Sequence, residues 1–143
     1  MLTITTNTMT IKEPRGGTLC TPACVRGELE DMATMAQEGF CVLTVNAKNT
    51  IIDRHLVTIG TLDAVSVHPR EVFKAAIWDG AAAIVLAHNH PSGDPTPSAE
   101  DIKITRQLVD AGKTLDVKVL DHVILGRGNP DHISLREAGL VKF

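Results

Sequence analysis

Aromatic residues are scarce in this chain: three Phe, one Trp and no Tyr in 143 residues. A core must therefore be assembled from Val, Ile, Leu, Ala and Met. Cysteine is also sparse. Cys20, Cys24 and Cys41 make an odd count without a paired C-x-x-C, which excludes a disulfide framework and a structural zinc knuckle. No apolar run approaches the roughly 18 residues that a membrane-spanning helix needs. The first residues, MLTITTNTMTIKEPR, alternate Thr with apolar side chains and lack a basic segment followed by an apolar one. No signal peptide is read there, and a reducing cytoplasm is the expected compartment. Positive charge is not in excess either. A net charge of −3 provides no global field for gripping nucleic acid, although it leaves room for a local basic patch.

What is present describes an ordinary globular chain. Hydrophobic residues make up 43% and charged residues 22%, near the average for folded domains. The length suits one domain that buries roughly two thirds of its unfolded surface. Residues 1–25 are polar, with Pro14, Gly16, Gly17 and Pro22, and are expected to form a flexible or edge-pairing arm ahead of a domain over 26–143. Leu29, Met32, Ala33, Met35 and Ala36 recur at helical spacing, predicting a helix over 26–37. Two apolar runs, 40–45 and 50–59, flank the turn residues Asn46, Lys48 and Asn49 and read as a hairpin. Pro69 suits a helix start, Val72, Phe73, Ala76 and Ile77 give it one apolar face, and Gly80 can close it. Residues 81–87 read as a buried strand, 88–97 as a loop and 98–111 as a helix with Gly112 after it. Residues 117–125 read as a further strand and 127–131 as a turn, before a tail with a short strand and a helical turn. The order α, β, β, α, β, α, β implies a mixed sheet with helices packed on it. The expected fold is a single three-layer α/β/α sandwich.

One segment carries chemistry. His88 and His90 lie two apart at the end of an apolar strand, so the strand period of two points both imidazoles to one face. A polar, Pro-rich loop follows. Ser98 then occupies a helix N-cap, with Asp101 in the first turn. Two imidazoles and a carboxylate are a usual protein set for catalytic zinc, with a further position left for water. Zinc lowers the pKa of such a water from about 15.7 to about 7. A general base must still collect the proton. Glu38 is a candidate, and Glu71 and Glu100 are nearly as good on the residues alone. Capping by itself explains the S-x-x-D pattern. It does not explain two histidines at a strand end facing that helix start.

The spacing H-x-H, seven residues, Ser, two residues, Asp is similar to the JAMM or MPN metalloprotease signature. The fuller string HNHPSGDPTPS followed by EDI resembles the RadC-like branch of the JAB/MPN fold. Gln37-Glu38-Gly39-Phe40, Val42-Leu43, Gly60-Thr61, the run His68-Pro69-Arg70-Glu71-Val72-Phe73 and Leu120-Asp121-His122 extend the resemblance over residues 28–140. It implies a deaminase-like α/β/α sandwich holding one zinc ion. His88, His90 and Asp101 would be the ligands, Ser98 the partner of the oxyanion, and Glu38 the acid/base on the zinc water. The implied activity is hydrolysis of peptide or isopeptide bonds in a peptide or protein substrate. A DNA-repair label belongs to the family name rather than to this chemistry.

Full-length RadC proteins carry a helix-hairpin-helix region before this domain. Here about 25 residues precede the match without that pattern, so the chain resembles the shorter JAB-only relatives, and DNA association loses its clearest physical basis. Other readings are a non-catalytic MPN binding module and a metal-dependent enzyme acting on DNA. The zinc deaminase motifs H-x-E and P-C-x-x-C and the H-E-x-x-H helix are absent. Asp121 and His122 either support the metal ligands or face a polar edge. His68 reads as a helix-initiating residue, Arg70 as a substrate or structural contact, His55 and His132 as exposed, Cys41 as a small buried hydrophobe, and Met32 and Met35 as core filler.

Overall fold

The computed structural model describes residues 17–19, 21–60, 67–128 and 130–143. Cys20, Asn129 in the expected 127–131 turn, and most of the expected N-terminal arm lie outside the described residues. A mixed sheet of five strands has the order β2-β1-β3-β4-β5. These strands are β1 (Gly39–Val45), β2 (Ile51–Ile59), β3 (Ala83–His90), β4 (Lys118–Gly126) and β5 (His132–Ser134). β1 runs antiparallel to both β2 and β3, β3 pairs parallel with β4, and β5 is antiparallel to β4. The parallel pair requires a long crossover, and the helix α4 (Ala99–Leu115) provides it.

Alternation along the buried strands divides the core into two layers. Phe40, Val42, Ile84, Leu86, Val119 and Ile124 pack with α3 (Pro69–Asp79) and α4 through Val72, Phe73, Ala76, Ile104 and Leu108. Cys41, Leu43, Val45, Val85, Ala87, Val123 and Leu125 pack with α1 (Pro22–Glu28) and α2 (Glu30–Ala33) through Val25, Leu29, Met32 and Ala33. The result is the three-layer α/β/α sandwich. β1 and nearly all of β3 are covered on both sides, which is why they read as unbroken apolar runs. Cys41 is buried, and that burial pushes its thiol up to about 11.

Three boundaries differ from the sequence reading. The first helix begins earlier, at Pro22 behind the N-cap Thr21, breaks at Leu29 and ends at Ala33. Residues 34–38 form a turn whose backbone is used elsewhere. β3 continues through His90 rather than stopping at residue 87, because His88, Asn89 and His90 pair with Ile124, Leu125 and Gly126. α4 passes through Gly112 to Leu115, and Asp116 in the left-handed conformation caps it. Gly112 serves close approach instead of capping: a Cβ there would lie 2.5 Å from the Val117 carbonyl and 3.3 Å from the Phe73 ring. Part of the arm pairs at an edge, where Thr18 bridges Thr50 and the Leu19 N–H donates to the Asn49 carbonyl.

Candidate metal centre

β3 delivers His88 and His90 to the face that carries α3 and α4. Asp101, in the first turn of α4, meets them there. His88 Nε2 lies 2.9 Å from His90 Nε2 and 3.2 Å from Asp101 Oδ1, and His90 Nε2 lies 3.3 Å from Asp101 Oδ2. His88 and Asp101 are buried and His90 is half-buried. The placement of Asp101 is set by the helix start. The Ser98 hydroxyl accepts from the Asp101 N–H at 3.1 Å, and Asp101 Oδ2 accepts from the Ser98 N–H at 2.8 Å, a reciprocal capping box. One carboxylate thus caps the helix and faces both imidazoles.

Hydrogen bonds fix where the ring protons sit. The Thr105 hydroxyl contacts the Asp101 carbonyl at 2.6 Å, and a carbonyl can only accept, so the one Thr105 proton points there. Thr105 Oγ1 then accepts from His122 Nδ1–H at 2.6 Å. His122 is fully buried, and burial together with the positive charge His88 can carry keeps its pKa well below the usual imidazole range. It is therefore neutral, and its bare Nε2 accepts from His88 Nδ1–H at 2.8 Å. His90 Nδ1 donates to the Asp94 carbonyl at 2.8 Å. With Nδ1 engaged in this way, each ring turns its Nε2 toward the other and toward the carboxylate.

Lone pairs this close repel unless a cation lies among them. A proton is one candidate. The Asp101 carboxylate hydrogen-bonds His90 and raises its pKa, with burial opposing. Burial would raise the Asp101 pKa, but bonds from His88 and His90 outweigh it and hold that carboxyl well below the usual range. A metal ion is the other candidate. Ligand atoms of a tetrahedral zinc with bonds of 2.0–2.1 Å lie about 3.3 Å apart. The observed separations of 2.9 to 3.3 Å fit that donor set. Thr105→Val should release the ordering chain without changing volume. In ¹⁵N spectra of the metal-free protein, His88 and His122 should each show a single Nδ1–H tautomer. The variant should show a mixture, and unchanged spectra would refute the relay.

The remaining sequence candidates occupy several different places in the fold. Glu38 lies on the turn before β1, half-buried, with its carbonyl accepting from the Gly60 N–H at 2.8 Å. The β1–β3 pairing ends at Phe40 opposite His88, and Glu38 lies two residues beyond that pair, toward the end of β3 that carries His90. The charge of Glu38 contributes to the raised pKa of His90, after the larger effect of Asp101. Glu71 and Glu100 are in the first turns of α3 and α4. Ser98 is exposed at the mouth of α4. Asp121 and His122 separate. His122 joins the histidine chain, whereas Asp121 accepts from the Arg136 N–H at 3.2 Å and the Ser134 hydroxyl at 2.5 Å and secures the segment after β4. His68 is the N-cap residue of α3. His55 and His132 are half-buried rather than exposed, because both lie on edge strands paired into the sheet and His55 also meets Asp79 of α3. His55 Nε2 lies 2.6 Å from Asp79 Oδ2, which also accepts from Thr44 at 2.7 Å.

Sequence reasoning passed over Thr105 and Asn89. Thr105 resembles an ordinary helix residue, and only the burial of a hydroxyl on the apolar face of α4 marks it. Asn89 has the parity of Val85 and Ala87, and a buried amide at an apolar position was the available signal. Gly93 is required by the loop: its φ is +91°, and a Cβ would meet the Arg127 carbonyl at 3.0 Å. Among the described residues, no helix is long and apolar enough to cross a membrane.

Residues 21–140 match the family model described as RadC-like JAB domain. A UPF0758 protein of Caldanaerobacter subterraneus subsp. tengcongensis is 53% identical over 115 residues, covering 80% of this chain and 48% of that protein. One from Symbiobacterium thermophilum is 53% identical over 124 residues, covering 86% and 52%. A Bacillus cereus relative is 48% identical over 118 residues, covering 81% and 51%. The chain spans about half the length of these curated relatives. With the α/β/α sandwich and the His-His-Asp centre in hand, the match over nearly all of the described chain settles its kinship: it belongs to the RadC-like JAB domain family.

Proposed function

We propose that this chain is a zinc-dependent hydrolase of the JAMM type that cleaves peptide or isopeptide bonds. The observation that carries the reading is the convergence of a carboxylate with two imidazoles whose ring protons are engaged elsewhere. His88 and His90 would hold the ion through Nε2 and Asp101 through its carboxylate. Bound zinc supplies a Lewis acid and acidifies a water to a pKa of about 7. Glu38 takes the proton from the attacking water and returns it to the leaving amine nitrogen. Ser98 donates its hydroxyl hydrogen to the oxygen that becomes negative as the carbonyl is attacked. The Phe40 ring stacks on His88 at 6.2 Å and lies edge-on to His122 at 5.5 Å, which keeps this side of the centre dry and the imidazoles fixed. The substrate is a peptide or protein, and a net charge of −3 favours no nucleic acid.

Elemental analysis tests the metal directly. Protein prepared without a histidine tag should carry one zinc per chain. Asp101→Ala or the His88→Ala/His90→Ala pair should carry almost none. Occupancy should also fall as the medium is acidified through the raised His90 pKa, because a proton then competes for Nε2. Full zinc occupancy in the double alanine variant would overturn the assignment.

A further inference from the structure

Between the two histidines, Asn89 points the other way. It belongs to the layer that holds Val85, Ala87 and α2, and it is fully buried. An amide placed there is costly unless its polar atoms are matched. The partners of Asn89 lie about fifty residues away in sequence. Its Oδ1 accepts from the Gly39 N–H at 2.7 Å, and its Nδ2 donates to the Gln37 carbonyl at 2.9 Å, with a longer contact of 3.5 Å to the Met35 carbonyl. A Cβ on Gly39 would stand at an ordinary 3.5 Å from the amide oxygen and a tighter 3.2 Å from the end of the Leu56 side chain. Only one orientation of the amide satisfies an N–H on one side and a C=O on the other. The two short bonds fall on either side of Glu38.

We propose that Asn89 is a positioning residue: it grips the backbone before and after Glu38 and thereby holds Glu38 toward the end of β3 that carries His90. The inference rests on the reading of Glu38 as the proton carrier. It explains why a polar side chain occupies an apolar parity between two histidines. The strand that supplies the histidines also fixes the turn that supplies the acid/base, so the two halves of the centre share one rigid element. The Gly60 N–H on the Glu38 carbonyl adds a third backbone restraint.

The link can be cut without touching the histidine face. Asn89→Leu removes both bonds at similar volume. Asn89→Ala removes them in a smaller residue and serves if the leucine variant fails to fold. Both should keep zinc at the level of the parent. Amide exchange at Gly39, followed by NMR in the metal-free protein, should quicken at least tenfold. With cobalt(II) as the bound probe, the paramagnetic shift of the Glu38 amide should shrink or split. Cleavage of a pooled set of fluorogenic peptides should fall roughly 100-fold, the scale of a displacement of about 1 Å in a catalytic group. Adding either change to Glu38→Gln should cost little more, because both act on the same step. Unchanged exchange at Gly39, or peptide cleavage at the parental rate, would overturn the positioning role. Failure of the underlying reading looks different: Glu38→Gln itself would then cleave as fast as the parent.

Discussion

Glu38→Gln is expected to slow amide-bond cleavage by roughly 100- to 10,000-fold while leaving one zinc per chain, the range for loss of a general acid–base. Glutamine keeps the size of the side chain and one acceptor oxygen. It has no site that can hold a proton at neutral pH. The backbone around residue 38 is held by the Gly39, Gln37 and Gly60 contacts, none of which involves the Glu38 carboxylate. The exchange should therefore leave the fold alone. Glu38 also stands outside the three groups whose ligand atoms converge. Its charge adds to the raised pKa of His90, so glutamine should lower that pKa. Two measurements decide the matter: metal content and rate against pH. A parallel loss of zinc would make Glu38 a ligand or a folding residue, and an unchanged rate would remove it from the chemistry.

How much of this was legible in the sequence depended on whether the signal was local. His88 and His90 could be put on one face because strand alternation is a local rule, and Asp101 could be placed because its capping box spans four residues. The layers followed from periodicity, and the hairpin 40–45/50–59 from its turn residues. The break at Leu29 was not legible, since helical spacing continues across it. Gly112 misled for a similar reason. Glycine after a helical run reads as a cap, and only the chain returning at Val117 shows that it allows close contact. The end of β3 was misplaced because its last residues owe their strand conformation to pairing with β4, a partner more than thirty residues away. Sequence separation, from 17 to 50 residues, likewise hid the Thr105–His122–His88 chain and the grip of Asn89 on the turn before β1. These contacts bind sequence-distant backbone and side chains, and no short window contains both ends.

Ser98→Ala should lower turnover roughly 100- to 1,000-fold, the usual cost of losing one oxyanion donor. Loss of the N-cap accounts for only about 1 kcal/mol of stability. The difference in scale separates catalysis from capping, although Ser98 performs the capping role in full view. Zinc should survive the substitution for a definite reason. The bond that steadies Asp101 Oδ2 comes from the Ser98 backbone N–H, which every replacement but proline retains. A fall in rate with metal and fold intact therefore reports on the hydroxyl. Ser98 is exposed beside the carboxylate that faces both histidines, at the positive end of a seventeen-residue helix, where a developing negative charge is favoured. Ser98→Asp distinguishes the two roles further. Aspartate is as good an N-cap as serine and should hold the melting temperature. It also sets a negative charge where negative charge develops during attack, so its rate should be no better than that of alanine. Thermal melts, zinc content and cleavage rates on the three proteins complete the comparison. Recovery of both stability and rate in Ser98→Asp would reduce Ser98 to a helix cap.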